Sequence, residues 1–249
     1  MEAIKTIDLT KKYADVTAVD KLNLTVEEGE LFALLGVNGA GKTTTIKMLC
    51  TLIKPSSGQG YLLGNDIVNE TKKVKEIIAV SPQETAVGLN LTVKENLLMM
   101  CSLHGFSKEK TNEKIKEMLE TFELNNVVDK KAAKLSGGWQ RKLSIAMALV
   151  SQPQILFLDE PTLGLDVLAR NDLWDTIKKL KKKITIVLTT HYLVEAEKLA
   201  DRIAIMKEGR IVALGTVEQL KNKAKTNDFE EAFISLIKEQ QNENDDIRS

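Results

Sequence analysis

Apolar and polar positions along the chain change period several times, and each change marks an element. Residues 22–26, LNLTV, alternate apolar with polar, the pattern of a half-buried strand, and 31–35, LFALL, form an unbroken apolar run that predicts a buried one. After a glycine-rich loop, TTTIKMLCTLI keeps apolar residues on one face at helical spacing until Pro55, Ser56, Ser57 and Gly58 stop it. Cys50 falls with Ile46, Leu49 and Ile53 on that face and reads as core. A further strand, IIAV (77–80), runs into Ser81, Pro82 and Gln83, and from about 86 to 145 the pattern is mainly helical and charged. That stretch reads as an inserted helical lobe. Within it Val93, Leu97, Met100 and Cys101 share a helix face behind Thr92, a favourable N-cap residue, and the lone His104 reads as a surface or packing residue.

Two more buried strands follow, ILFLD (155–159) and ITIVLTT (184–190), separated by the helical LARNDLWDTIKKL. Strand, helix and strand in that order predict a mainly parallel α/β sheet. IAIMKEGRIVALG then reads as a hairpin turning at Lys207, Glu208 and Gly209. The lysine run at 178–183 sits where cations complement a helix C-terminus, and the polar QQNENDDIRS at the end is expected to fray.

Composition narrows the function. At 249 residues and 43% hydrophobic the chain can bury a large core, and 35 basic against 35 acidic residues give no basic excess, so nucleic acid is not an expected partner. No window approaches the ~18 apolar residues of a membrane span and the N-terminus lacks a secretory apolar core, so the chain is expected to stay in the cytosol. Cys50 and Cys101 are single and distant in sequence, which gives neither a disulfide framework nor a zinc pattern.

Residues 36–43, GVNGAGKT, are a complete P-loop, following a buried strand and opening a helix as the mechanism requires. Gly36, Gly39 and Gly41 let the backbone approach phosphates, with Asn38, Ala40 and Thr44 completing the binding stretch. Lys42 reaches the β and γ oxygens, and Thr43 offers a hydroxyl to Mg²⁺. Asp159 ends a buried strand, where a P-loop enzyme holds its metal. Glu160, one step further, is expected to point to the other side of the strand end and to orient the attacking water. His191 ends another buried strand and reads as a sensor near the γ-phosphate, while the Gln83 amide can touch both Mg²⁺ and water. Residues 135–138, LSGG, pose a puzzle, because Ser136, Gly137 and Gly138 look like a second phosphate cradle where one nucleotide needs one site.

GVNGAGKTTT, Gln83, LSGG, ILFLDEPT, GLD (164–166) and TTH (189–191), in that order, resemble the nucleotide-binding subunit of an ATP-binding cassette (ABC) transporter over roughly residues 1–220. The resemblance implies a P-loop NTPase core with a mainly parallel sheet, an N-terminal antiparallel β part and an inserted helical lobe, with 221–249 as a C-terminal helix and polar tail. It implies ATP and Mg²⁺ as ligands, Tyr13 stacked on adenine for about 1–3 kcal/mol, Gln83 in the loop that couples to the membrane partner, Asp166 crossing a dimer interface and His191 as the switch histidine. It also resolves the puzzle. In this family two subunits pack head to tail, so that Ser136 and Gly138 serve the neighbour's nucleotide. Partners so implied are a membrane permease and a second copy or a related ATPase subunit, at the cytoplasmic face of the membrane. Trp139 departs from the family's commonest signature, which has glutamine there; an indole donates but does not accept, so no role that needs an amide oxygen carries over to 139. The GLD, WQRKLSIAMALV and HYLVEAEKLADRIAIMKEGRIVALGT stretches resemble ABC-2 type exporters most. Soluble ABC ATPases of similar length, such as those of iron–sulfur assembly, are the alternative.

Overall fold

The computed structural model describes residues 1–246, with side chains described through Lys238. Along the chain run β1 (Glu2–Tyr13), β2 (Val16–Glu27), β3 (Leu31–Gly36), α1 (Lys42–Leu49), β4 (Ser57–Leu62), β5 (Asn65–Asp66) and α2 (Thr71–Ile77). Next come β6 (Ile78–Ser81), α3 (Val93–Leu103), α4 (Lys108–Thr121), α5 (Gly137–Leu149), β7 (Ile155–Asp159) and α6 (Val167–Leu180). The chain ends with β8 (Thr185–Thr190), α7 (Leu193–Leu199), β9 (Arg202–Lys207), β10 (Arg210–Gly215), α8 (Val217–Lys223) and α9 (Phe229–Asp246). These elements form two compact bodies, one from Met1–Glu76 with the chain from Lys181 onward and one from Ile77–Leu180.

The first body holds an antiparallel sheet in the order β2-β1-β4-β5 and a set ordered β10-β9-β3-β8, in which β8 and β9 both run parallel to β3. Every residue of β3 and β8 is buried, as expected of parallel strands covered on both faces. The LNLTV stretch alternates as its pattern predicts, with Leu22, Leu24 and Val26 inside. β9 and β10 pair antiparallel with Arg210 opposite Lys207, and the connecting Glu208 and Gly209 both take positive φ, 48° and 79°, the backbone of a tight hairpin turn.

The helix after the glycine loop is shorter than its apolar pattern suggests. α1 stops at Leu49, well before Pro55, because Thr51 turns left-handed (φ 60°) and its N–H and that of Leu52 donate to the carbonyls of Met48 and Lys47 at 3.0 and 2.9 Å. These two bonds close the helix end, and the apolar residues beyond it continue the pattern without the helix. Cys50 is buried as expected.

The second body is built on the parallel pair β6 and β7, with Ile78 opposite Ile155 and Ser81 opposite Leu158, and on helices α3 to α6. Thr92 caps α3 reciprocally: its hydroxyl accepts from Glu95 N at 3.1 Å while the Glu95 carboxylate accepts from Thr92 N at 2.7 Å. Val93, Leu97 and Cys101 point inward from that helix, and His104, at its C-cap, is exposed. Burial pushes the Cys101 thiol above its ordinary pKa. At the chain's end α9 runs to Asp246; the expectation of fraying falls on residues whose side chains, and for 247–249 whose backbone, lie outside the described residues. Among the described residues no helix is long and apolar enough to cross a membrane.

Candidate functional site

In the first body the loop between β3 and α1 is shaped by glycines for two separate reasons. Gly39 and Gly41 take φ 83° and 102°, which a side chain disfavours. A Cβ on Gly36 would lie 2.5 Å from the Met206 carbonyl oxygen and one on Gly41 2.5 Å from that of Ala18, so neighbouring strands close on the loop where only hydrogen fits. Ala40 accepts from Gly209 N at 3.0 Å and donates to Val37 O at 3.2 Å, which pins the loop's far side. Lys42, 5% exposed, donates through Nζ to Gly36 O at 2.7 Å and Val37 O at 3.2 Å, so its ammonium lies across the inside of the loop. Gly41 caps α1 without a side-chain bond and the first turn carries no acidic residue, which leaves the helix start suited to an anion. Asn38 is exposed at the loop's rim, and Thr43 and Thr44 are half-buried in the first turn.

Leu35 pairs with Thr190, so the next residues, Gly36 and His191, leave neighbouring parallel strands at the same edge. This brings His191 to the phosphate-loop edge, half-buried, its ring 4.2 Å from that of Tyr192. Tyr13 lies at the tip of the β1–β2 hairpin, 46% exposed, with Lys11 Nζ 5.1 Å from its ring, and β2 of that hairpin supplies the Ala18 carbonyl against Gly41.

In the second body Asp159 closes β7 and is 7% exposed, and Glu160, 8% exposed, follows it. Glu160, expected to point to the other side of the strand end, stands one residue past it. The strand ends at Asp159, and Glu160 takes φ 48°, so a left-handed turn rather than the pleat sets its direction. Gln83 lies just beyond β6 and is exposed. Ser136 is the N-cap of α5 and its hydroxyl makes no capping bond; with Gly137 it is exposed, and Gly138 packs so closely that a Cβ would lie 2.9 Å from that of Ala169 on α6. Asp166 has a structural task in this body: its Oδ1 accepts from Leu168 N and Ala169 N, each at 2.9 Å, and so starts α6.

Two residues beyond the expected set take part in this architecture. Arg141 is buried and donates to the backbone carbonyls of Pro82, Gln83, Glu160 and Pro161. Lys142, also buried, pairs with Asp172 at 2.7 Å and lies 5.2 Å from the ring of Trp139. The sequence carried a signal for both. The run LSIAMALV that follows them is apolar on every side of the helix, so basic residues at its start must find partners inside.

The family model described as ABC transporter matches residues 19–163. The chain is 43% identical over 226 residues to the daunorubicin/doxorubicin resistance ATP-binding protein DrrA of Streptomyces peucetius, covering 90% of this chain and 68% of that one. It is 39% identical over 240 residues to the probable multidrug ABC transporter ATP-binding protein YbhF of Escherichia coli, covering 94% of this chain and 41% of that one. Among solved structures, a dimeric ATP-binding cassette in a post-hydrolysis state with ADP and Pi superposes with a TM-score of 0.75 at 28% identity, over 86% of this chain and 98% of that chain. With the phosphate loop and the strand-end carboxylates built as described, the chain belongs to the ABC transporter family and is one of its ATP-binding, ATP-hydrolysing cassettes.

Proposed function

We propose that this cassette powers export: two copies, or one copy and a related cassette, close around two ATP and drive a separate membrane permease from the cytoplasmic face. The observation that supports this reading is that the chain offers two separate groups suited to phosphate. The loop around Lys42 offers amides and an ammonium to a triphosphate, while Ser136 presents an exposed hydroxyl that its own helix does not use. A second copy joins each group to its complement. The relatives named for drug resistance and multidrug transport support the export reading over iron–sulfur assembly.

Each residue then has a task. The glycine loop and the open first turn of α1, with Asn38, Ala40 and Thr44, bind the phosphates, and Lys42 leaves the carbonyls it now bonds to meet the β and γ oxygens. Tyr13 stacks on the base. Glu160 accepts a proton from the attacking water and holds it in line, Gln83 orients that water and relays its position towards the permease, and His191 contacts the γ-phosphate edge. Ser136, Gly137 and Gly138 bind the partner copy's nucleotide, and Asp166 lies at that interface. Mg²⁺, when bound, neutralises charge developing on the β and γ oxygens. Thr43, Asp159 and Gln83 are the residues that would hold it. Hydroxyl, carboxylate and amide oxygens are the hard donors such an ion takes, with phosphates and water completing its shell.

Glu160→Gln tests the proposal. It keeps ATP binding and removes the base, so light scattering after size exclusion is expected to show a dimer with ATP and a monomer without it. A monomer at every concentration with ATP bound would mean that the chain does not close on itself.

A further inference from the structure

Arg141 lies in the first turns of α5 and is 3% exposed. Its guanidinium donates to four backbone carbonyls: Nε to Pro161 O at 2.7 Å, Nη1 to Pro82 O at 2.6 Å, and Nη2 to Gln83 O at 2.8 Å and to Glu160 O at 3.0 Å. All these groups belong to the one body Ile77–Leu180. Two acceptors lie on the loop that leaves β6 and two on the loop that leaves β7, and these are the loops that carry Gln83 and Glu160.

Carbonyls beyond a strand end have lost their ladder partners, and each one buried unsatisfied costs about 1–3 kcal/mol. A planar fork with five N–H donors can bridge several of them at once, which the compact ammonium of lysine cannot do. Glu160 gives the clamp a further consequence. A non-glycine residue at φ 48° sits in a conformation that costs of order 1 kcal/mol or more and persists only where its surroundings hold it. Arg141 grips the carbonyls of both Glu160 and Pro161, and so fixes the peptide through which the Glu160 side chain is aimed.

We infer that Arg141 is a positioning residue for ATP hydrolysis. By clamping the carbonyls of Gln83 and Glu160 from the helix that Ser136 begins, it aims both side chains at the attacking water and ties their placement to the helix that receives the partner's nucleotide. The inference rests on the roles proposed above for Glu160 and Gln83. Lys142 supplies the contrast. It is equally buried on the same helix, but its ion pairs are with Asp172 on α6 and, at 4.0 Å, with Glu123, neither of which lies on these loops.

The test is ATP hydrolysis by the full chain, with thermal midpoints measured for each variant. Arg141→Lys is expected to lower kcat per folded molecule about 10- to 100-fold, the scale reached when a reacting group moves by about 1 Å, with KM for ATP within about threefold. Lys142→Gln is expected to lower the midpoint and leave kcat unchanged. In a Glu160→Gln background, Arg141→Lys should lower the residual rate by a clearly smaller factor than in the parent, because one of the two residues it acts through is already altered. Arg141→Gln retains amide donors and is expected to lose less kcat than Arg141→Ala. An unchanged kcat in Arg141→Lys, a loss confined to KM, or the same factor lost with and without Glu160 would each overturn the inference. Unfolding of Arg141→Lys and Arg141→Gln alike at the assay temperature would reduce Arg141 to a structural strut. Near-parental hydrolysis by Glu160→Gln alone would instead remove the assignment of Glu160, visible before Arg141 is altered, and the inference would fall with it.

Discussion

Around Lys42 the backbone shapes itself. Gly39 and Gly41 adopt left-handed conformations, the carbonyls of Met206 and Ala18 press to 2.5 Å of where a Cβ on Gly36 or Gly41 would stand, and the lysine folds back onto the carbonyl of Gly36 in its own loop. Around Glu160 no glycine relieves the left-handed turn. The two loops beyond β6 and β7 are held instead by a guanidinium from a helix that begins more than fifty residues after Gln83 and ends before Glu160. One region is specified by a contiguous run of residues on which neighbouring strands close, the other by a single side chain that reaches two loops distant in sequence. A site of the first kind fails by local collision or loss of charge, whereas one of the second kind fails when a distant tie is cut.

Lys42→Ala should break the first region most severely. Removing the cation at the phosphates is expected to weaken ATP binding by about 100-fold or more, near 3 kcal/mol, as titration calorimetry would measure. Near-parental affinity would take the phosphate role away from this loop. Gly41→Ala combines a forbidden approach with a strained φ, and a loss of about 2–3 kcal/mol in urea unfolding is expected. Gly39→Ala meets nothing within 4 Å and carries only the strain, so about 1 kcal/mol is expected there. Equal losses at the two positions would show that the close approach to Ala18 is not felt.

Smaller effects belong to the second body. Thr92→Ala removes the hydroxyl half of a reciprocal cap and should cost about 1 kcal/mol in the same measurement. Glu123 gives the smallest. The Lys179 hydrogen bond, helped by the charges of Lys142 and Lys179, holds its carboxyl below the usual carboxylate range. A depressed folded pKa contributes stability that is present above the unfolded value and is lost as pH falls through the folded one. The midpoint of the parent should therefore fall slightly more steeply than that of Glu123→Gln once pH drops below the ordinary carboxylate range. Exposed pairs of this kind are worth about 0–1 kcal/mol, and parallel curves would show that the pair contributes nothing.

The strand–loop–helix around Lys42 was legible because the chemistry demands its residues side by side, and Asp159 was legible because four apolar residues lead into it. Strand alternation was no guide to Glu160, since the pleat ends at Asp159 and the next residue turns at φ 48°. The end of α1 was misjudged for a related reason: apolar spacing continues past Leu49, but the two hydrogen bonds that terminate the helix involve backbone atoms, which leave no mark on residue type.

By itself, then, the sequence determined the family, the parallel core and the phosphate loop, because burial on both strand faces and phosphate binding each require particular residues at adjacent positions. Only the tertiary structure decided how Gln83 and Glu160 are held. Arg141 finds four carbonyl oxygens that every residue possesses, so its partners could not be read from side chains and emerge only once β6, β7 and α5 are packed together.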